Sequence, residues 1–184
     1  MKPGSLVGKG RTSLVFEYGA DSVVKVPNDW VPPHWAGLEA VYTDAVHKIG
    51  APAPEVRDVV VIDGKDSVVF ARVPGRSLWS EMCDRPNELE ALTRVMVDLQ
   101  GEIHCAGIPA QVPDLVGRTC EKIRLADTVS EAERSKGCDW VHALPRGAAL
   151  LHGDFHPGNI VLNSNGAVAI DWFDATIGHP VADL

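Results

Sequence analysis

A chain of 184 residues has room for one ordinary domain, or for two small lobes sharing a hinge. Hydrophobic residues make up 45% and charged residues 23%, a balance that suits a soluble globular protein with a core needing no disulfide or metal staple. Seventeen Lys and Arg against 25 Asp and Glu leave a net charge of −8 with no basic tract, so a sequence-independent grip on nucleic acid is not expected.

In chain order, Leu6-Val7 leads into Gly8-Lys9-Gly10, and residues 13–18 follow as a strand-like run. Gly19-Ala20-Asp21 is a tight turn, and residues 22–26 form a third β-branched run closed by Pro27. A helix is predicted over 34–49, where Trp35, Leu38, Tyr42, Ala45 and Ile49 recur at spacings of three and four before Gly50. Strands are expected over 56–62 and 67–73, around the turn Asp63-Gly64-Lys65-Asp66. The order β-β-β-α-β-β implies a mostly antiparallel sheet covered by one helix. Beyond Pro74-Gly75-Arg76 the chain turns helical, and Leu89, Leu92, Met96, Leu99 and Ile103 form an apolar stripe. Two helices with charged outer faces are expected over 115–126 and 131–144. Short extended pieces follow over 150–151, 160–162 and 167–170, the last two joined by a turn at 163–166. The expectation is an α+β, bilobed chain: a β-rich lobe over 1–72, a hinge over 73–76 and a helical lobe over 77–184.

Cys83, Cys105, Cys120 and Cys138 contain no Cys-x-x-Cys pair, and they read as reduced packing residues of a cytoplasmic protein. No apolar run approaches the ~20 residues of a membrane span, and Met1-Lys2-Pro3-Gly4 lacks the apolar core of a signal peptide. Trp30, Trp35, Trp79 and Trp140 are expected in the core or between lobes, and Trp172 beneath a site.

The densest polar constellation is His152-Gly153-Asp154-Phe155-His156-Pro157-Gly158-Asn159. Gly and Pro exclude a helix there, and apolar strands flank it, which pins polar groups on a loop. Further on, Ala169-Ile170-Asp171-Trp172 ends an apolar strand on a carboxylate. A hairpin between the segments can join Asp154, Asn159 and Asp171, hard oxygen donors suited to Mg²⁺ rather than zinc. Phosphoryl transfer uses this pattern: a catalytic Asp, a metal-binding Asn five positions on, and a second metal-binding Asp beyond a short hairpin. The β-rich half supplies matching parts. Gly8-Lys9-Gly10-Arg11-Thr12-Ser13 joins two strands as a phosphate-covering loop would, Lys25 is a lone charge among valines, and Glu39 edges the apolar stripe of the next helix.

These segments resemble the aminoglycoside phosphotransferase and choline-kinase-like family of small-molecule kinases. The resemblance is carried by residues 151–160, by Ile170-Asp171-Trp172, and by Gly178-His179-Pro180 with Asp183-Leu184. It implies a protein-kinase-like bilobed fold with ATP, or GTP, and Mg²⁺ at the hinge, and a small-molecule hydroxyl as acceptor. It implies Asp154 as the base, with His152 in the catalytic set or bracing its loop, and Asn159 and Asp171 as metal ligands. Gly8, Gly10, Thr12, Ser13, Lys25 and Glu39 would serve the phosphates, and the backbone of Ala71 and Val73 the adenine. Asp183 would anchor the catalytic loop. His179 stands where the family commonly has Asp. The family continues past its Asp-Leu pair with helices that help form the acceptor pocket, so the chain is expected to end short of them and to expose apolar surface open to association.

Other readings have less support. Gly4-x-x-x-Gly8-Lys9-Gly10 is one residue short of a Walker A loop and lacks its Ser or Thr. His152-x-Asp154-x-His156 echoes a metal-dependent phosphoesterase, which would need further His and Asn ligands downstream. Lys25 alone could be a strand lysine reaching for water. A nucleotide-binding pseudokinase without acceptor turnover is the alternative of a different class. The net charge leans toward a cationic acceptor, and the oligomeric state is open.

Overall fold

A computed structural model describes residues 2–184. Strands β1 (Leu6–Lys9), β2 (Ser13–Glu17), β3 (Ser22–Pro27), β4 (Val56–Ile62) and β5 (Lys65–Ala71) form one antiparallel sheet in the order β1-β2-β3-β5-β4. The β4–β5 connection is a two-residue turn with Asp63 at φ 50° and Gly64 at φ 80°, the left-handed pair whose twist matches antiparallel strands. Alternation along β3 sorts its side chains: Val24 and Val26 pack with Ile62 and Val69 on one face. On the other face Val23, Val68 and Phe70 meet Ala36 and Ala40 of α1 (His34–Lys48). Two alanines on the buried stripe let this helix lie close to the sheet. Lys25 stands opposite Val15 and Val68 in the ladder, so it projects beneath α1.

The second lobe starts with β6 (Arg76–Ser77) and α2 (Leu78–Asp84), whose first turn is capped by the Ser77 hydroxyl. Helices α3 (Leu89–Cys105), α4 (Leu115–Arg124) and α5 (Glu131–Ala143) follow. Asp114 caps α4 by accepting from the Val116 and Gly117 N–H groups, and Ser130 with Glu133 forms a capping box on α5. Then come β7 (Ala149–Leu151), β8 (Ile160–Asn163), β9 (Gly166–Ala169) and β10 (Thr176–Gly178). Strands β6, β8 and β9 form one small sheet, and β7 pairs with β10. The largest core gathers Leu92, Leu99 and Ile103 of α3, Leu150, Ile160 and Trp172, and is joined by Tyr42 and Val46 of α1. The helix that covers the sheet therefore also roots in the helical lobe.

The predicted β-β-β-α-β-β unit and the 163–166 hairpin are present. Elements α2, β6 and β10 escape sequence reading because two to seven residues are too few to display a period. Three tryptophans depart from expectation: Trp30, Trp79 and Trp140 are 59%, 60% and 65% exposed. They sit on short or locally amphipathic segments that have no second layer to cover them. Cys120 and Cys138 pack between α4 and α5, Cys83 and Cys105 are exposed, and all four are free thiols. Among the described residues no helix is long and apolar enough to cross a membrane.

Candidate active site

The lysine beneath α1 is held at two points. Lys25 Nζ lies 2.6 Å from Glu39 Oε1 and 2.9 Å from Asp171 Oδ1. Burial by itself would lower the lysine's pKa, but the two carboxylates more than offset it, so the net shift is upward and Lys25 is charged. Burial pushes Glu39 upward too, with Lys25 pulling it back. The Asp171 charge beside it adds to the rise at Glu39, just as it adds to the hold on the Lys25 ammonium.

Asp171 follows β9 with φ 69° and ψ 63°, a left-handed conformation uncommon outside glycine and concentrated at functional sites. It turns the chain sharply into Trp172–Asp174. Gly153 is also left-handed at φ 81°, and a Cβ there would overlap the Asp174 carbonyl. The absence of a side chain at Gly153 thus lets the 152–159 loop lie directly against the segment that carries Asp171.

That loop is braced from below. Asp183, its side chain 1% exposed, accepts 2.8 Å hydrogen bonds from the N–H groups of both His152 and Gly153. His104 Nε2 lies 3.1 Å from the same carboxylate. His152 is fully buried against Trp172; its Nε2 donates to the Ile170 carbonyl at 2.9 Å and its Nδ1 accepts from the Asp154 N–H at 3.3 Å. Burial lowers its pKa, which keeps the ring neutral and this tautomer fixed. The ring does not line the cleft; through these two bonds it ties the Asp154 backbone to the Ile170 carbonyl, next to Asp171.

Asp154 is exposed. Asn159 Nδ2 donates to its carbonyl at 3.0 Å and to its Oδ2 at 3.1 Å, which leaves Oδ1 open. The same bonds turn the Asn159 carboxamide oxygen away from Asp154 as a free acceptor. Asp171 likewise has one oxygen on Lys25 and one without a partner. Two hard oxygen donors at neighbouring positions fit Mg²⁺, which takes few protein ligands and completes its shell with water and phosphate oxygens. Among the described residues no three His, Cys, Asp or Glu cluster as a metal cage, so the donor set does not fit the phosphoesterase reading.

These groups line one cleft of about 980 Å³ between the lobes. Of the residues singled out in the sequence, Gly10, Thr12, Ser13, Lys25, Glu39, Asp154, Asn159 and Asp171 face it, while Gly8, Ala71, Val73 and His152 do not. Gly10 closes the β1–β2 turn through its N–H to the Ser13 carbonyl at 2.9 Å; Gly8 stays within β1. At the end of β5 the Ala71 and Arg72 N–H groups are taken by the Glu55 and Asp21 carbonyls at 2.9 Å. Among the described residues the Val73 N–H has no such acceptor.

One contributor is absent from the sequence reading. Arg118 of α4 lies 5.5 Å from the Tyr42 ring and 5.1 Å from the Phe173 ring, and donates to the Phe173 carbonyl at 3.1 Å. Lys122, one turn on, reaches Asp174 Oδ1 at 2.7 Å. Helix α4 therefore grips the segment that follows Asp171. Its i, i+4 basic pair was readable, but its partners stand some fifty residues away on an element with no regular period.

A five-stranded sheet with a buried lysine–glutamate pair, set over an Asp/Asn loop and a hairpin-end aspartate, is a bilobed kinase-like fold. Residues 5–184 match the phosphotransferase enzyme family, and the chain belongs to it. No curated protein matches the sequence. Among solved structures, the GDP complex of wild-type aminoglycoside 2'-phosphotransferase-IIIa superposes with a TM-score of 0.64 at 17% identity, over 100% of this chain and 71% of that one. ADP-bound aminoglycoside phosphotransferase APH(2'')-Ib gives 0.61 at 16%, over 100% and 70%. Macrolide 2'-phosphotransferase MphH from Brachybacterium faecium gives 0.53 at 15%, over 99% and 69%. The chain thus spans about 70% of the length of each.

Proposed function

We propose that this chain transfers the γ-phosphate of ATP, with GTP as the second candidate donor, to a hydroxyl of a small molecule. The convergence of Lys25, Asp154, Asn159 and Asp171 on one cleft carries this reading. Family membership and relatives solved with GDP and ADP support nucleotide use. The hinge would be residues 73–76, whose Val73 N–H has no backbone acceptor among the described residues but lies outside the lining of the cleft. Lys25 would hold phosphate oxygens, and Glu39 would orient Lys25. Asn159 and Asp171 would hold Mg²⁺, which when bound supplies charge neutralisation on the phosphates.

Asp154 presents its open oxygen to the acceptor hydroxyl and takes that proton as the new O–P bond forms and the bond to the leaving diphosphate breaks. Positioning and charge do most of the work, since phosphoryl transfer asks for little covalent chemistry. Asp154→Ala is expected to lower turnover by roughly 10²–10⁴-fold while Mg-ATP affinity measured by calorimetry stays nearly unchanged. Near-normal turnover in that variant would remove the base from this scheme. Asp171→Ala is expected instead to abolish Mg²⁺-dependent nucleotide binding. An exposed Asp154 whose second oxygen takes no hydrogen bond among the described residues favours turnover over the pseudokinase alternative, which an acceptor panel run with Mg-ATP separates.

A further inference from the structure

Resting on the phosphotransferase reading above, we propose that Arg118 of α4 is a positioning residue for the metal ligand Asp171. It holds the turn that aims this carboxylate, so Mg²⁺ affinity depends on a helix that supplies no ligand itself. The left-handed backbone of Asp171, at φ 69°, costs about 1–2 kcal/mol in a residue with a side chain. Such a conformation persists only where its surroundings over-determine it. The Asp171 side chain is held from α1, through Glu39 and Lys25. The backbone after it needs a hold of its own.

Trp172 is fixed from inside, its Nε1 donating to the Ala169 carbonyl at 2.9 Å and its carbonyl accepting from the Ala175 N–H at 3.1 Å. Phe173, next but one to Asp171, is held by side chains instead. Arg118 donates to its carbonyl at 3.1 Å and lies 5.1 Å from its ring centroid, and Trp35 of α1 stacks on that ring at 4.5 Å. One guanidinium thus fixes Phe173 by backbone and ring together. It also lies 5.5 Å from the ring of Tyr42, which belongs to the core shared by both lobes. The start of α4 is tied to the far end of the same segment, where the Ile177 N–H donates to the Pro113 carbonyl at 2.9 Å, beside the cap Asp114.

The guanidinium is placed for shape more than for charge. Its side chain is 11% exposed, yet its ion-pair contact, to Asp174, is a long 3.8 Å, and its Nε is shielded with no acceptor. Burying a cation with so loose a partner is unfavourable. Arginine brings what lysine lacks: a planar group that lies against aromatic rings while donating from its edge.

The test titrates Mg²⁺ by calorimetry into the full chain held with a non-hydrolysable ATP analogue. Arg118→Lys and Arg118→Met are each expected to weaken Mg²⁺ about tenfold, the lower end of what supporting residues around a metal site contribute. Charge acting alone predicts the reverse for Arg118→Met, since removing a cation from the cleft should tighten a divalent cation. Urea melts without metal or nucleotide report the structural share separately, and Arg118→Lys, which keeps charge and stem, carries the test if Arg118→Met does not fold. Weakening of Mg²⁺ by less than about threefold, or tighter binding, in either folded variant overturns the proposal. A lowered urea midpoint with Mg²⁺ affinity retained does the same, marking Arg118 as structural only. Failure of the parent chain to bind the Mg-analogue at all would instead remove the phosphotransferase reading on which the proposal rests.

Discussion

Replacing Asp183 by Asn changes one atom and should unseat the catalytic loop. Its carboxylate sits with 1% of the side chain exposed and receives the His152 and Gly153 N–H groups, one on each oxygen, both at 2.8 Å. An amide has one oxygen to offer. In either orientation its NH₂ confronts one of those donors, so a charge-assisted bond is lost and a shielded N–H is stranded. Hydrogen bonds to charged groups contribute about 1.5–3 kcal/mol each, and a stranded donor costs about 1–3 kcal/mol. These two overlap, since losing the bond is what strands the donor, and with the loss of His104's charged partner at 3.1 Å the expected destabilisation is about 2–4 kcal/mol. That is a large part of the roughly 5–15 kcal/mol of an ordinary domain. Urea melts should show the midpoint falling by roughly 1–2 M with an unchanged slope, and turnover should fall with it because Asp154 is next but one to His152. An Asp183→Asn protein that melts within about 0.5 kcal/mol of the parent and turns over normally would refute the anchoring argument.

Two further outcomes bear on the same region. Gly153→Ala should cost about 1–2 kcal/mol for its left-handed backbone alone and more for driving the loop off the Asp174 carbonyl, with turnover at least about tenfold lower; parental melts and rates would contradict that close approach. For His152, burial depresses the folded-state pKa below the ~6.5 of the unfolded chain. Its contribution is therefore present above about pH 6.5 and is lost as pH falls toward the depressed value, at up to about 1.4 kcal/mol per pH unit. Urea melts between about pH 7.5 and about pH 5 should show this slope in the parent and lose it in His152→Gln; identical profiles would count against the buried neutral ring.

Much of the site was legible because its chemistry is local. The 152–159 loop crowds polar residues between Gly and Pro, and Asp171 ends an apolar strand where packing has no use for a carboxylate. Lys25 and Glu39 were legible by contrast, as charges amid valines and on the border of an apolar stripe. The remainder depends on distances that no pattern encodes. His152 and Asp154 are two positions apart with similar composition around them, yet one ring is sealed beneath Trp172 and the other side chain faces solvent. Trp30, Trp79 and Trp140 looked like core by residue type, and their exposure follows from which neighbouring layers exist. The role of α4 was invisible because Arg118 meets Tyr42 and Phe173 only once three separate elements have docked.

Helix α4 is shared between two duties, and its geometry keeps them apart. Arg118 and Lys122 stand one turn apart on the row that grips Phe173 and Asp174. Glu121 and Leu125 stand one turn apart on the adjacent row, also lining the cleft but bound to neither residue. Substitutions on the second row can redraw what the cleft admits without disturbing the aspartate that follows β9. Substitutions on the first would alter both together. Within and just past one ten-residue helix, one row therefore faces the cleft without a side-chain bond to the segment after β9, while the row beside it is committed to holding that segment.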